Sequence, residues 1–330
     1  MPDAQLADPR VPAPADVRFD AVDPRLRDRV LAAIGAVSDA RTHEPAWSVS
    51  PLRGGASNLN FRVDRADGVY VLRLPGGHAE RFGNTQAHGL AIQSAAAAAG
   101  IAPPVCAYHS PTGTSLVPFV AGEALGSDTV RVGDRLERVG LLLRRLHAAA
   151  PVEASWSAFA DIRRYVAIAA AERLDLPPDA TRLLSAVDRV EALLEGLPDG
   201  ATFCHNDLQP QNVVDDGDRL WLIDWEYGGT GNRYFDLGNF AINVELTERE
   251  LDRLLGAYLG DDTDGLPAVR ARVALMRAVS AIREACWSVV AEPVLDTDWD
   301  YSAWAAAFFD RCRRAIANGD LDRWLEEATP

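Results

Sequence analysis

Three polar side chains suited to a nucleotide-dependent phosphoryl transfer lie close together in the second half of the chain. Asp207 stands within residues 205–212 (HNDLQPQN), which end at Asn212, and Asp224 ends the next apolar run. A carboxylate can orient an acceptor hydroxyl and take its proton, whereas amide and carboxylate oxygens are ligands that Mg²⁺ prefers. The spacing therefore predicts Asp207 as the catalytic residue and Asn212 with Asp224 as ligands of a Mg²⁺ ion that accompanies ATP.

The hydrophobic pattern predicts the elements that must position these residues. Short apolar runs separated by turn residues predict strands near 47–52, 60–64, 69–74, 105–109 and 114–119. An alanine-rich stretch predicts a helix near residues 85–99. Beyond residues 120–122 the period becomes helical, and further helices are predicted near 128–149, 157–173, 179–195, 247–259, 267–291 and 299–318.

The order of these elements predicts an α+β fold with two lobes. The first lobe is expected to be a small antiparallel sheet with one helix, and the second to be large and mostly helical. We expect a flexible lead-in over residues 1–20 and a nucleotide-binding lobe over residues 21–120. The helical lobe, over residues 121–330, is expected to hold the catalytic loop and the substrate pocket.

Charge and composition narrow the range of partners. The formal net charge is −15, and all 33 basic residues are arginine because the chain contains no lysine. Nucleic acid and anionic membrane need a basic surface, so neither is expected as a partner, whereas a small cationic molecule is favoured. The sequence shows no apolar run of the ~18 residues that a membrane span requires. It also shows no secretory-type start and no CxxC pair. A cytoplasmic location is therefore expected.

Several segments agree in order and spacing with one known family. The chain resembles bacterial members of the choline/ethanolamine kinase family, within the wider group of protein-kinase-like folds that includes the aminoglycoside phosphotransferases. The similarity extends over about residues 50–310 and is most specific at the catalytic segment. The matching segments are residues 54–60, 71–76, 203–207, 223–227, 235–240, 283–287 and 298–301.

The resemblance also implies how ATP is held. A glycine-rich loop would let backbone amides approach the phosphates, and Arg73 on the third strand would bind two phosphate oxygens with its planar guanidinium. The adenine is expected near the end of the first lobe. The residues implied for the nucleotide are Gly54, Gly55, Ser57, Asn58, Arg73, Phe119 and Val120. His205 is expected to brace the loop, and Asp236 to accept hydrogen bonds from its amides.

The family lines a box for a quaternary ammonium group with aromatic rings, because ring faces attract a cation that has no N–H donor. Two carboxylates, Glu245 and Glu284, are candidates for the same cation. Some relatives have an acid where this chain has Asn243, and some have an aromatic residue in place of Glu284, so a primary amine or another amino alcohol stays open. The aromatic residues implied for the substrate are Tyr227, Trp287, Tyr301 and Trp304.

Together these features predict ATP- and Mg-dependent transfer of the γ-phosphoryl group to the primary hydroxyl of a small cationic amino alcohol, choline or ethanolamine. Direct in-line transfer by a monomer or homodimer is expected. One alternative is a kinase of the same fold that acts on an aminoglycoside, another cationic antibiotic or thiamine. The other is a nucleotide-binding pseudokinase, favoured only by the missing glutamate partner of Arg73, since no acidic residue stands between Arg81 and Gly122.

Overall fold

The computed structural model describes residues 17–38, 46–52, 58–83, 86–195, 197, 201–261 and 265–329. These residues pack into two units. The first contains the described residues of Met1–Gly77 and Pro104–Phe119, and the second those of His78–Pro103 and Val120–Pro330. The helix predicted near residues 85–99, which the sequence places in the first lobe, packs with the second unit.

The first unit is built on a sheet of six strands. The strands are β1 (Val17–Phe19), β2 (Trp47–Pro51), β3 (Asn58–Arg65), β4 (Gly68–Pro75), β5 (Ala107–His109) and β6 (Thr114–Pro118). They lie in the order β1-β2-β3-β4-β6-β5. All neighbours are antiparallel except β1, which runs parallel to β2. The predicted antiparallel sheet is confirmed apart from this one edge.

The core of the first unit lies on one face of this sheet. Side chains of successive strand residues point to opposite faces, so buried residues alternate with less buried ones along β2, over 61–63 of β3 and over 72–74 of β4. Helix α1 (Arg27–Val37) packs against β4, β5 and β6 and adds Val30 and Ile34 to the core. The strands contribute Trp47, Val49, Phe61, Val63, Leu72, Leu74 and Leu116.

The end of the predicted lead-in is part of this unit, which corrects the expectation for residues 1–20. Val17–Phe19 pair with Trp47–Val49, and Val17 and Phe19 pack on the core. The alternation of apolar Val17 and Phe19 with Arg18 suits an edge strand with one buried face. Residues 1–16 lie outside the described ranges.

The second unit is mostly helical, as the sequence predicts. Its helices are α2 (Gln86–Ala98), α3 (Arg135–His147), α4 (Ala158–Glu172), α5 (Ala180–Glu195), α6 (Arg233–Val244), α7 (Glu248–Leu259), α8 (Leu266–Ala291), α9 (Tyr301–Ala315) and α10 (Asp320–Glu327). Two short sheets interrupt them, formed by β7 (Glu123–Ala124), β8 (Thr202–Cys204), β9 (Val213–Asp215), β10 (Leu220–Leu222) and β11 (Gly229–Gly231). In the described ranges no helix combines the length and apolarity needed to cross a membrane.

Helix α8 is the centre of the second unit. It packs against α4, α5, α6, α9 and α10, and most of its 26 residues are buried. A helix surrounded in this way is apolar on nearly all sides. Its few buried charged residues, Arg272, Arg283 and Glu284, therefore need partners within the protein.

Helices α6 and α8 approach each other closely at Gly238. A Cβ atom at this position would lie 2.8 Å from the backbone nitrogen of Arg277, closer than real Cβ contacts allow. Glycine therefore permits the crossing, which fixes the turn of α6 that carries Asp236 and Asn239.

Four helices differ from the sequence prediction, and two of them, α1 and α10, were not predicted. The helix expected over 128–149 is divided into a 3₁₀ turn (Thr129–Arg131) and α3, because Gly133 adopts a positive φ of 63° between them. Helix α6 was not predicted as a helix either. It contains glycine and asparagine and is buried on nearly all sides, so it has neither high propensity nor a clear apolar stripe.

Candidate active site

The loop between β8 and β9 is held by two side chains of α6. The two oxygens of Asp236, on the first turn of α6, accept hydrogen bonds from the backbone amides of His205 at 2.8 Å and Asn206 at 2.7 Å. The next turn of α6 supplies Asn239, whose side-chain oxygen accepts from the amide of Leu208. The predicted role of Asp236 is confirmed, whereas that of Asn239 was missed by sequence reasoning.

His205 is a structural residue of this loop. Its ring is fully buried, with Nε2 2.9 Å from the carbonyl oxygen of Ile223, and its Nδ1 accepts from the amide of Asp207 at 3.3 Å. Burial lowers the pKa of His205, which favours the neutral imidazole that these contacts use. The prediction that His205 braces the loop is confirmed.

Asn212 lies directly against Asp207. Its side-chain nitrogen donates to the carbonyl oxygen of Asp207 at 2.9 Å and lies 3.5 Å from the carboxylate oxygen Oδ2. The backbone carbonyl of Asn212 accepts from the amide of Ile223 at 3.0 Å. Asp224 is the residue that follows Ile223, so this contact brings its backbone close to Asn212. Asp224 itself has a positive φ of 68°, a conformation that a non-glycine residue adopts at some cost.

The carboxyl group of Asp207 is buried among other acids. Burial, and next the negative charge of Glu284, raise its pKa well above the ordinary value. The guanidinium of Arg283 opposes this shift, while Asp224 and Glu226 add to it. A carboxylate with a raised pKa holds a transferred proton more firmly, which suits a general base.

A buried arginine lies beside this carboxylate. Nη1 of Arg283 is 2.7 Å from Glu284 and 3.9 Å from Oδ1 of Asp207, and its Nε is 3.6 Å from Asp161 on α4. Its guanidinium carbon lies 4.1 Å from the centre of the Tyr227 ring. Sequence reasoning assigned no role to Arg283 or Asp161, because residues on different helices meet here.

The predicted aromatic residues fall into separate groups. The ring of Trp287 lies 5.5 Å from that of Phe82 and 5.9 Å from that of Tyr301, whereas Trp304 packs 5.0 Å from Trp299. The buried indole nitrogen of Trp287 has no hydrogen-bond partner among the described residues. The structure therefore brings Trp287 and Tyr301 together and places the ring of Tyr227 against Arg283 instead.

Glu245 does not join the group around Asp207. It ends α6 in a left-handed conformation, and its carboxylate pairs with Arg311 of α9 at 2.6 Å. It lines a separate cavity of about 730 Å³, together with Glu248, Arg270, Arg277, Arg311, Arg314 and Arg323 among others. None of the other predicted site residues lines this cavity, so the structure separates Glu245 from the residues around Asp207.

Arg73 pairs with a residue that sequence reasoning overlooked. Its Nε donates to the side-chain oxygen of Asn60 at 3.2 Å, and the two residues face each other across β3 and β4. Two polar residues of α2, His88 and Gln93, contact instead the carbonyl oxygens of Gly228 and Pro103. The register of two strands, which is not readable from a single motif, decides this contact.

The remaining nucleotide predictions concern the first unit and its end. Gly54, Gly55 and Ser57 lie outside the described residues. Asn58 begins β3, and its side-chain oxygen accepts from the amide of Gly76 at 3.4 Å. Phe119 follows β6 and lies under the guanidinium of Arg62, 4.9 Å from the ring centre, and Val120 is the next residue in the chain.

A six-stranded sheet in one unit, and a helical unit whose fixed loop presents Asp207 and Asn212, define a protein-kinase-like fold. The chain belongs to the phosphotransferase enzyme family, whose sequence profile matches residues 48–272. This result confirms the family that the motifs indicated.

Several known proteins are similar to this chain. Protein LicA of Haemophilus influenzae is 27% identical over 222 residues, which are 62% of this chain and 61% of that protein. The human choline/ethanolamine kinase is 34% identical over 79 residues, 20% of each chain. The chain thus spans less than two thirds of the length of the curated relatives it matches.

A solved structure is also similar to this chain. It is a choline/ethanolamine kinase family protein from Mesorhizobium loti, which superposes with a TM-score of 0.78 at 24% identity. The superposition covers 92% of this chain and 99% of that one, which shows the fold.

Proposed function

We propose that this protein transfers the γ-phosphoryl group of ATP to the primary hydroxyl of a small cationic amino alcohol, choline or ethanolamine. The observation that carries the proposal is the contact of Asn212 with Asp207 in a loop held by Asp236. A carboxylate that can act as a base and an amide side chain that can bind a metal ion are thereby held next to each other, as phosphoryl transfer requires. The names of the similar kinases support the same acceptor class.

Asp207 acts on the acceptor hydroxyl in this proposal. Its carboxylate accepts the hydroxyl proton, and its backbone is held by Asn212 and by the neighbouring loop contacts. Because the loop amides already have acceptors, the backbone that carries the carboxylate need not rearrange during the reaction. This preorganisation lowers the barrier by avoiding rearrangement at the moment of transfer.

Asn212 and Asp224 have the chemistry of a Mg²⁺ site. The side-chain nitrogen of Asn212 is used by Asp207, an orientation that presents its side-chain oxygen as a ligand atom. With the carboxylate of Asp224, this makes a set of hard oxygen donors. When bound, Mg²⁺ would neutralise phosphate charge.

The acceptor nitrogen is assigned to the neighbourhood of Trp287, Tyr301 and Glu284. The paired rings of Trp287 and Tyr301 offer aromatic surface, and Glu284 offers negative charge near Asp207. A cation held here places its hydroxyl group, two carbons away in choline or ethanolamine, at a defined distance from the base. Arg73 and Asn58 of the first unit stay assigned to the nucleotide phosphates.

A substrate panel tests this proposal. The purified chain is incubated with ATP and Mg²⁺ and with choline, ethanolamine, thiamine or an aminoglycoside, and ADP release and product mass are measured. Phosphorylation of choline or ethanolamine is expected. A product from thiamine or the aminoglycoside alone would support the alternative kinase, and ATP binding without any product would support a pseudokinase.

A further inference from the structure

One ring face of Tyr227 already carries a cation. The guanidinium of Arg283 lies over the ring of Tyr227 at 4.1 Å and near that of Trp156 at 5.7 Å. Arg283 is only 1% exposed, so this cation is part of the core. If Tyr227 belonged to an aromatic box for a substrate cation, its ring face would already be occupied by Arg283.

Two features show that Arg283 is not there for packing alone. Its Nε and Nη2 have no hydrogen-bond partner among the described residues, and a buried donor without an acceptor destabilises a fold. Its Nη1 makes one close ion pair, with its own neighbour Glu284 at 2.7 Å. An apolar residue here would leave the buried carboxylate of Glu284 without its cation, so the charge itself is needed at this position.

The charge has a direct consequence for the acceptor. A quaternary ammonium group has no N–H donor and depends on ring faces, but the face of Tyr227 is covered by the guanidinium. The guanidinium repels any second cation, and a quaternary group has no hydrogen bond that could offset this repulsion. An ammonium group with N–H donors can instead form charge-assisted hydrogen bonds with carboxylates. The side chain beside the guanidinium is a carboxylate, Glu284, rather than another ring.

We propose that Arg283 is a specificity-determining residue, which makes the acceptor site select an amine that carries N–H donors over a quaternary ammonium. The inference rests on the proposed function and deepens it. Arg283 occupies the ring face that choline would use, and the carboxylate of Glu284 accepts from the amine. Primary amino alcohols are then the preferred acceptor class.

A graded series of acceptors tests the selection in the unaltered protein. Ethanolamine, N-methylethanolamine, N,N-dimethylethanolamine and choline differ in one methyl group at each step and lose one N–H donor each time. We expect kcat/KM to fall along the series, by about tenfold or more overall. A flat or rising kcat/KM would overturn this inference and leave the proposed function intact. Lack of ADP release with all four acceptors, in folded protein that binds ATP, would overturn both.

Two arginine variants test the residue itself. Arg283→Met uncovers the ring of Tyr227, and we expect the ratio of kcat/KM for ethanolamine to that for choline to fall by about tenfold. Arg272→Met is the matched control, because Arg272 is a buried arginine of the same helix, 5.4 Å from the ring of Tyr234. The control should keep the wild-type ratio. An unchanged ratio in folded Arg283→Met would overturn the assignment.

Tyr227→Leu gives a second test if Arg283→Met does not fold. Because the ring faces Arg283, its loss should change kcat/KM by a similar factor for all four acceptors. A selective loss of choline phosphorylation would instead mean that the ring contacts the substrate, which contradicts the inference. Thermal unfolding of each variant shows whether it is folded during the assay.

Discussion

Nε2 of His147, at the end of α3, lies 3.1 Å from the carboxylate oxygen Oδ2 of Asp236. The same oxygen accepts from the amide of His205, and Nδ1 of His147 lies 2.9 Å from the hydroxyl of Tyr258 on α7. One carboxylate therefore connects the catalytic loop to α3 and, through the histidine, to α7. The loop is anchored in the core of the helical unit rather than at its surface.

Asp236→Asn should weaken both the loop and the fold. The side-chain amide that replaces one oxygen cannot accept, so one buried partner loses its acceptor, at a cost of about 1–3 kcal/mol. We expect a lower urea midpoint and a lower kcat. Asp310→Asn is the control, because Asp310 pairs at the surface with Arg313. Equal midpoints for Asp236→Asn and wild type would contradict the anchoring role.

Asp207→Asn should remove turnover while leaving ATP binding in place. The amide is nearly isosteric but cannot take the hydroxyl proton, so kcat should fall by about 10²–10⁴-fold. Initial rates with ethanolamine give kcat, and calorimetric titration gives the Kd for ATP. Retention of full activity would exclude Asp207 as the base.

Trp287→Ala should weaken acceptor binding more than ATP binding. Loss of one ring face near a desolvated cation corresponds to about 0.5–2 kcal/mol, or an acceptor KM raised by up to about thirtyfold. Trp221→Ala is the control, because its indole lies on β10 and donates to Asp216. If the KM for the acceptor stays at the wild-type value, the acceptor nitrogen binds elsewhere.

Gly238→Ala should destabilise the protein, whereas Gly256→Ala should stabilise it. A Cβ at Gly238 would collide with the α8 backbone, at a cost of about 1–3 kcal/mol. At Gly256 of α7 a Cβ meets no atom within 4 Å, and alanine gains about 0.5–1 kcal/mol in a helix interior. Urea unfolding measures both, and a stable Gly238→Ala would disprove the close crossing.

Asp215 should stabilise the fold in a pH-dependent way. Burial alone would raise its pKa, but hydrogen bonds from Arg138, the amide of Gly217 and Arg135 lower it below the ordinary 3.8. A lowered folded-state pKa means that the stabilisation is fully present above the unfolded-state pKa and is lost as pH falls through the folded-state pKa.

Asp215→Asn should therefore cost about 2 kcal/mol near neutral pH, since charge-assisted hydrogen bonds are lost. The difference from wild type, measured by urea unfolding, should be constant from pH 8 to pH 5 and should shrink only below about pH 4. Asp322→Asn, which removes an exposed partner of Arg189, is the control. A difference that grows as the pH falls would contradict the assigned pKa shift.

The catalytic loop could be predicted from sequence because its chemistry lies within one short segment. Asp207 and Asn212 are five residues apart, and their contact requires only a local turn. Most other strands and amphipathic helices were also readable, since each has one buried face, but β1, α1 and α10 were missed. The pattern failed at α6, where burial on nearly all sides leaves no periodicity to detect.

The surroundings of the proposed acceptor site could be predicted only in part, because distant segments meet there. Tyr227 was predicted to bind the substrate, but its ring faces Arg283, which is 56 positions away in the sequence. Asp161, on α4, is farther still from Arg283. Which ring faces a substrate and which faces an internal cation depends on helix packing, and no local motif encodes it.

Helix α8 carries Arg283, Glu284 and Trp287, and it is also the helix around which the second unit is packed. If these residues select the acceptor, divergence toward a new substrate must alter the interior scaffold rather than a tolerant surface loop. Each such step would tend to lower stability before it improves recognition. Compensating changes on α4, α6 or α9 should therefore accompany any evolved change of substrate.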